Sequence, residues 1–182
     1  MDKQTALLII DMINPLSFEH GEDIYPQTKE TAEKIALLKD AMKARGCPIL
    51  YVNDNYGKWQ SDFNQLVYDI KTSHELGATI AARLEPTEND YSVIKPKYSG
   101  FFNTPLHLLL EHLEVHTLVL TGIVGNMCVQ FTANDAYTLE YSLVIPQDGI
   151  ASFTQKDTDV ALHHFKHILK ADVRPIETWI KK

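Results

Sequence analysis

The chain is short of cysteine, of basic excess and of long apolar runs, and each shortage removes a class of protein. Two cysteines in 182 residues, Cys47 and Cys128, make no disulfide framework, and no Cys-x-x-Cys occurs. A reducing cytoplasm is the expected compartment. Basic residues are outnumbered, 17 Lys+Arg against 24 Asp+Glu, for a net charge of −7. That balance disfavours tracking a phosphate backbone or gripping an acidic membrane, so neither nucleic acid nor lipid is expected as a partner. The first apolar run, Ala6 to Ile10, is far too short to span a bilayer, and Met1-Asp2-Lys3-Gln4 lacks the pattern of a secretory leader. Repeats, low-complexity tracts and Gly/Ser linkers are missing too, so residues 1–182 are expected to form one domain.

Hydrophobic residues make up 45% of the chain and are spread along it, enough for a sizeable core. Short β-branched runs alternate with stretches of helical period. Strands are expected at 5–11, 48–53, 91–95, 117–121 and 142–146, with 173–176 as a sixth, kept to an edge by Pro175. Helices are expected over 27–45, with Pro26 near its start and Gly46 as its stop, and over 106–114 behind Thr104-Pro105. Another runs over 127–140, and one opens at the capping box Thr154-x-x-Asp157 and reaches about Lys170. Shorter helices fit Ser61 to Lys71 and Ala78 to Leu84. Such alternation implies right-handed crossovers and an α/β, three-layer α/β/α sandwich around an open parallel sheet of Rossmann type.

Ligands of such sheets bind beyond the carboxyl ends of the strands. Three reactive side chains fall there: Asp11 ends the first strand, Lys95 the third, and Cys128 lies in the first turn after the fourth. A helix N-terminus and an ammonium both favour a thiolate, so the Cys128 thiol is expected at a lowered pKa. Asp11 is placed to pair with Lys95 and to accept the thiol proton, and backbone N–H groups of the Gly122–Cys128 loop to hold an oxyanion. Singly, each has a plainer reading: a turn aspartate, an end charge paired with Asp90, an inert core cysteine.

The chain resembles the isochorismatase-like cysteine hydrolases over nearly its whole length. The resemblance rests on Ala6-Leu-Leu-Ile-Ile-Asp11-Met-Ile-Asn14, Val93-Ile-Lys95-Pro-Lys-Tyr-Ser-Gly-Phe-Phe-Asn103 and Leu118-Val-Leu-Thr-Gly-Ile-Val-Gly-Asn-Met-Cys128-Val, followed by Thr132-Ala-x-Asp-Ala136 and Asp148-Gly-Ile-Ala-Ser152. It implies a six-stranded parallel sheet and a catalytic triad of Asp11, Lys95 and Cys128. It also implies a cis, non-proline peptide between Ile123 and Val124, with the N–H groups of Val124 and Cys128 facing the substrate oxygen. The segment after Lys95 lines the site in the family, which makes Tyr98, Phe101 and Phe102 pocket candidates; Asn53, Trp59 and Phe131 are added to them. Relatives form dimers or tetramers, so a homodimer or homotetramer is expected.

The sequence also departs from the family. The nicotinamidase metal pattern Asp-x-His is replaced by Asp54-Asn55-Tyr56, Asn126 stands where Asp is frequent, and Pro15 where an acid is common. No metal and no cofactor are expected. His163 and His167 have a legal metal spacing but lack a third ligand, and with His164 they fall on the polar side of their helix. Cys128 points to hydrolysis of a small-molecule C–N bond, amide or carbamoyl, through an acyl-enzyme. Two alternatives stay open. One is an isochorismatase-type vinyl-ether hydrolase that releases pyruvate, with the thiol a bystander. The other is a non-catalytic nucleotide-binding module, hinted at only by Gly122-x-x-Gly125.

Overall fold

A computed structural model describes residues 3–57, 59 and 62–181. Met1, Asp2 and Ser61, the expected start of a short helix, lie outside the described residues. Six strands form one sheet: β1 (Thr5–Ile10), β2 (Ile49–Asp54), β3 (Tyr91–Lys95), β4 (Thr117–Ile123), β5 (Ser142–Val144) and β6 (Ile150–Ala151). Their order is β3-β2-β1-β4-β5, with β6 pairing β4, and every pairing is parallel.

The central strands are apolar throughout because both faces are covered. Along β1, Leu7 and Ile9 enter one core cluster and Ala6, Leu8 and Ile10 the other. Tyr51 and Leu50 divide in the same way on β2, and Val119 and Leu120 on β4. The first cluster is closed by α1 (Gly21–Ala44), α2 (Phe63–Lys71) and α3 (Ala78–Arg83). The second is closed by α4 (Leu106–His112), α5 (Gln130–Thr138) and α6 (Gln155–His167). A short α7 (Glu177–Ile180) ends the described chain. Among the described residues no helix is long and apolar enough to cross a membrane.

Three elements differ from expectation. Helix α1 starts six residues before Gln27, at Gly21, and takes Pro26 into its second turn. Gly21 permits this start, because a Cβ there would strike the Leu16 carbonyl. The sixth strand is Ile150–Ala151 and not 173–176. The later segment meets the sheet only at a bridge between Asp172 and Val144 and through Val173, whose carbonyl accepts from the Gln147 N–H. Pro175 has no N–H with which to extend that pairing. Finally, the helix expected over 127–140 begins as a π-helical turn, Gly125–Val129, before continuing as α5. The capping box behaves as expected: Thr154 Oγ1 accepts from the Asp157 N–H at 3.1 Å.

A buried ionic cluster fastens the amino end of β3. The carboxylate of Asp90 pairs with Lys43 at 2.6 Å and Lys39 at 3.6 Å. Lys39 also donates to the Tyr51 hydroxyl at 2.7 Å and to the Glu85 carbonyl at 2.6 Å. Burial lowers the Lys39 pKa, against the pull of Asp90.

At the other end of the sheet Gly122 of β4 stands opposite Ile10 of β1. Its φ is +116°, and an added Cβ would collide with the Ile10 carbonyl oxygen. Gly122→Ala is therefore expected to destabilise the protein by about 3 kcal/mol or more in equilibrium urea denaturation, because clash and backbone strain act together.

Candidate active site

The sheet order reverses between β1 and β4. The chain steps from β1 outward to β2 and β3, then returns to place β4 and β5 on the other side. The carboxyl ends around that reversal carry four reactive side chains. Asp11 follows β1, Asp54 ends β2, Lys95 ends β3 and Cys128 rides the π-helical turn past β4. Asp54 and Lys95 are direct neighbours in the β2–β3 register.

Lys95 is the hub. Its side chain is wholly buried, with Nζ 2.8 Å from Asp11 Oδ2, 3.5 Å from Asp54 Oδ2 and 3.6 Å from Cys128 Sγ. The other oxygen of Asp11 accepts from the Asp54 N–H at 2.7 Å, and Asp11 is also hydrogen-bonded to the Cys128 thiol. Asp11 takes a left-handed backbone, φ 53°, which aspartate tolerates better than most residues. The structure thus brings together Asp11, Lys95 and Cys128, and adds Asp54.

Burial governs the protonation of this group. It penalises the Lys95 ammonium, yet Asp11, Cys128 and Asp54 outweigh the penalty and hold its pKa above the ordinary lysine value. Burial raises the Asp11 pKa despite Lys95 beside it. The Cys128 thiol is pushed up to about 12, first by burial and then by the Asp11 charge, with Lys95 opposing. This corrects the expected lowered pKa: desolvation and a carboxylate overcome the ammonium, which favours the thiol over the thiolate.

Polar contacts fix the two halves of the site to each other. Thr132 Oγ1 donates to the Cys128 carbonyl at 2.7 Å and accepts from the Gly100 N–H at 2.9 Å. Ser99, four residues past Lys95, donates to Asp135 on α5 at 2.5 Å. The peptide between Ile123 and Val124 is cis.

A cavity of about 130 Å³ opens on the thiol. Beside Asp11, Asp54 and Cys128, its walls are Asn14, Phe18, Tyr56, Ile123 and Val124. The six residues expected around the pocket stand outside that lining. Asn53 is buried, but its amide donates to the Ile13 carbonyl and accepts from the Ile13 N–H, which clamps the loop after β1. Trp59 is 75% exposed. Tyr98 and Phe131 stack on each other at 5.3 Å with half their surface in solvent, and Phe102 is equally exposed. Phe101 packs on Tyr141 at 6.0 Å.

Sequence reasoning missed Asn14, Phe18, Asp54 and Tyr56. For Asp54 the signal was present, a carboxylate at the end of a strand. Tyr56 fills the place of the metal-ligating histidine and donates its hydroxyl to the Ile13 carbonyl at 2.9 Å. The two aspartates already share the Lys95 ammonium, and among the described residues no three His, Cys, Asp or Glu side chains form a metal-binding group. The donor set does not suit a metal.

Comparison with known proteins supplies the family. The isochorismatase domain matches residues 5–177. The uncharacterized isochorismatase family protein YaaI of Bacillus subtilis is 42% identical over 177 residues, covering 97% of each chain. The ureidoacrylate amidohydrolase RutB of Pantoea ananatis is 30% identical over 81% of this chain and 69% of its own. Among solved structures, an isochorismatase-like hydrolase from Alkaliphilus metalliredigens superimposes with a TM-score of 0.78 at 25% identity, covering 97% of both chains. The chain belongs to the isochorismatase family of hydrolases.

Two measurements test the electrostatics. Lys95→Met leaves Asp11 buried without its closest cation, so stability at pH 8 should fall by about 3–5 kcal/mol. The orphaned carboxylate then has a folded pKa above its unfolded value. Its destabilisation is present above the folded pKa and is relieved as pH falls toward the unfolded one, so the loss should shrink at pH 4.5. Urea denaturation at both pH values checks this. In the wild-type protein, alkylation of Cys128 by iodoacetamide, followed by peptide mass, should keep rising with pH well past 8.5, the ordinary cysteine midpoint.

Proposed function

We propose that the protein hydrolyses the C–N bond of a small amide or carbamoyl compound, with Cys128 as nucleophile, Asp11 as proton carrier and Lys95 as electrostatic partner. The observation that carries this reading is the convergence of the three side chains: Asp11 and Cys128 line one cavity, and the ammonium buried behind them lies 2.8 Å from the carboxylate and 3.6 Å from the sulfur.

The chemistry follows from the protonation state. A thiol with a pKa near 12 stores no anion, so the proton must leave as the sulfur attacks. Asp11, already hydrogen-bonded to the thiol, takes that proton. The sulfur bonds to the carbonyl carbon, and the oxygen becomes an oxyanion facing the N–H groups of Val124 and Cys128. Protonated Asp11 gives its proton to the leaving nitrogen, the C–N bond breaks and ammonia or an amine departs. Water then adds to the thioester with Asp11 as base, and collapse releases the acid and restores the thiol. Lys95 keeps positive charge beside the sulfur while it is negative. No cofactor enters this route. Assembly as a homodimer or homotetramer belongs to the same reading. The low cysteine content supports a cytoplasmic setting.

Amide hydrolysis should fall at least ~10³-fold in Cys128→Ala, and intact-mass analysis of the wild type during turnover should show a Cys128-bound acyl group. Pyruvate release from isochorismate that survives in Cys128→Ala, with no amide turned over by either protein, would replace this reading with ether hydrolysis.

A further inference from the structure

We infer that the site takes a short amide without a negative charge and rejects one that carries a carboxylate, with Asp54 as the residue that sets this preference. The inference rests on the amide-hydrolysis reading and narrows its substrate class.

Three observations support it. The first is the charge count around the cavity. Two carboxylates, Asp11 and Asp54, face one ammonium, Lys95, which leaves the group at −1 with the thiol protonated. Lys95 is spent on these partners and is wholly buried, so it offers no free cation to an anionic substrate. The second is the lining. Phe18, Tyr56, Ile123 and Val124 are uncharged, and among the described lining residues none is an arginine, lysine or histidine. The third is size. The space over the thiol is about 130 Å³, below the ~300–1,000 Å³ typical of pockets for drug-sized ligands, which favours a short acyl chain.

Asp54 is the discriminating group because its charge is the less neutralised of the two. It stands 3.5 Å from Lys95 where Asp11 stands at 2.8 Å, and a third of its side chain is exposed where Asp11 is buried. Its Oδ1 accepts from the Tyr56 N–H at 2.7 Å, which holds the carboxylate at the cavity wall. A substrate carboxylate a few ångströms away would be repelled, because the effective dielectric beside the protein wall is well below that of water.

The test compares butyramide with succinamate, which differ by a terminal carboxylate. Ammonia release by the wild type should give a kcat/KM for butyramide about tenfold or more above that for succinamate, and Asp54→Asn should narrow the ratio at least threefold. The ratio is read within each protein, so a general loss of activity in the variant does not disturb it. Ligand-observed NMR on Cys128→Ala gives a second readout that needs no chemistry. There butyramide should displace succinamate. Equal or better turnover or binding of succinamate overturns the inference and leaves amide hydrolysis standing. Binding of neither compound by Cys128→Ala overturns it as well. Preferential binding of butyramide without turnover of either compound supports the inference and counts against the hydrolytic reading.

Discussion

A lysine ammonium with no access to water sits at the carboxyl end of the sheet. Burying such a charge is unfavourable by several kcal/mol unless partners surround it. Here two aspartates and a thiol do so, and each comes from a different strand end. The contacts hold only while β1, β2, β3 and β4 keep their register, and that register is fixed by side chains that alternate into the two apolar layers. The geometry of this group is therefore a by-product of core packing: the sheet cannot shift by one residue without stranding a buried charge.

The same burial decides how the thiol behaves. An exposed cysteine at a helix start would be partly ionised at neutral pH. Cys128 is half-buried against the second apolar cluster and faces a carboxylate, so its proton stays in place until a neighbour can take it. Thr132 and Gly100 tie the backbone of the cysteine turn to the loop that follows Lys95. Sulfur and ammonium are thus kept at a fixed spacing by a second set of bonds that does not touch the cavity.

Much of this was legible in the chain. Residues 5–11 read as a doubly covered strand because they are almost wholly apolar, 117–121 read as another strand, and Asp11, Lys95 and Cys128 stood out by falling where such strands end. What escaped was direction. Tyr98, Phe101 and Phe102 are close to Lys95 in sequence, yet they leave the strand on a loop that lies against α5 and Tyr141. Phe18 and Tyr56 reach the cavity from segments without periodicity, where no pattern reports which way a side chain points. The thiol pKa was misjudged for a similar reason. Helix end and ammonium are visible in a sequence, whereas the depth of burial that overrides them is not. The segment 173–176 was apolar enough for a strand, but Pro175 and a single bridge at Asp172 reduce it to a strap along the edge.

The Asp90 cluster gives the outermost strand an unusual status. β3 lies at the border of the sheet, a position prone to fraying. Lys39 and Lys43 grip its beginning through Asp90, while its last residue is gripped by Asp11 and Asp54. Five residues are stretched between two anchors, like a string tuned at both pegs. Loosening either peg detunes the other, so damage far below the crevice should be felt at the sulfur.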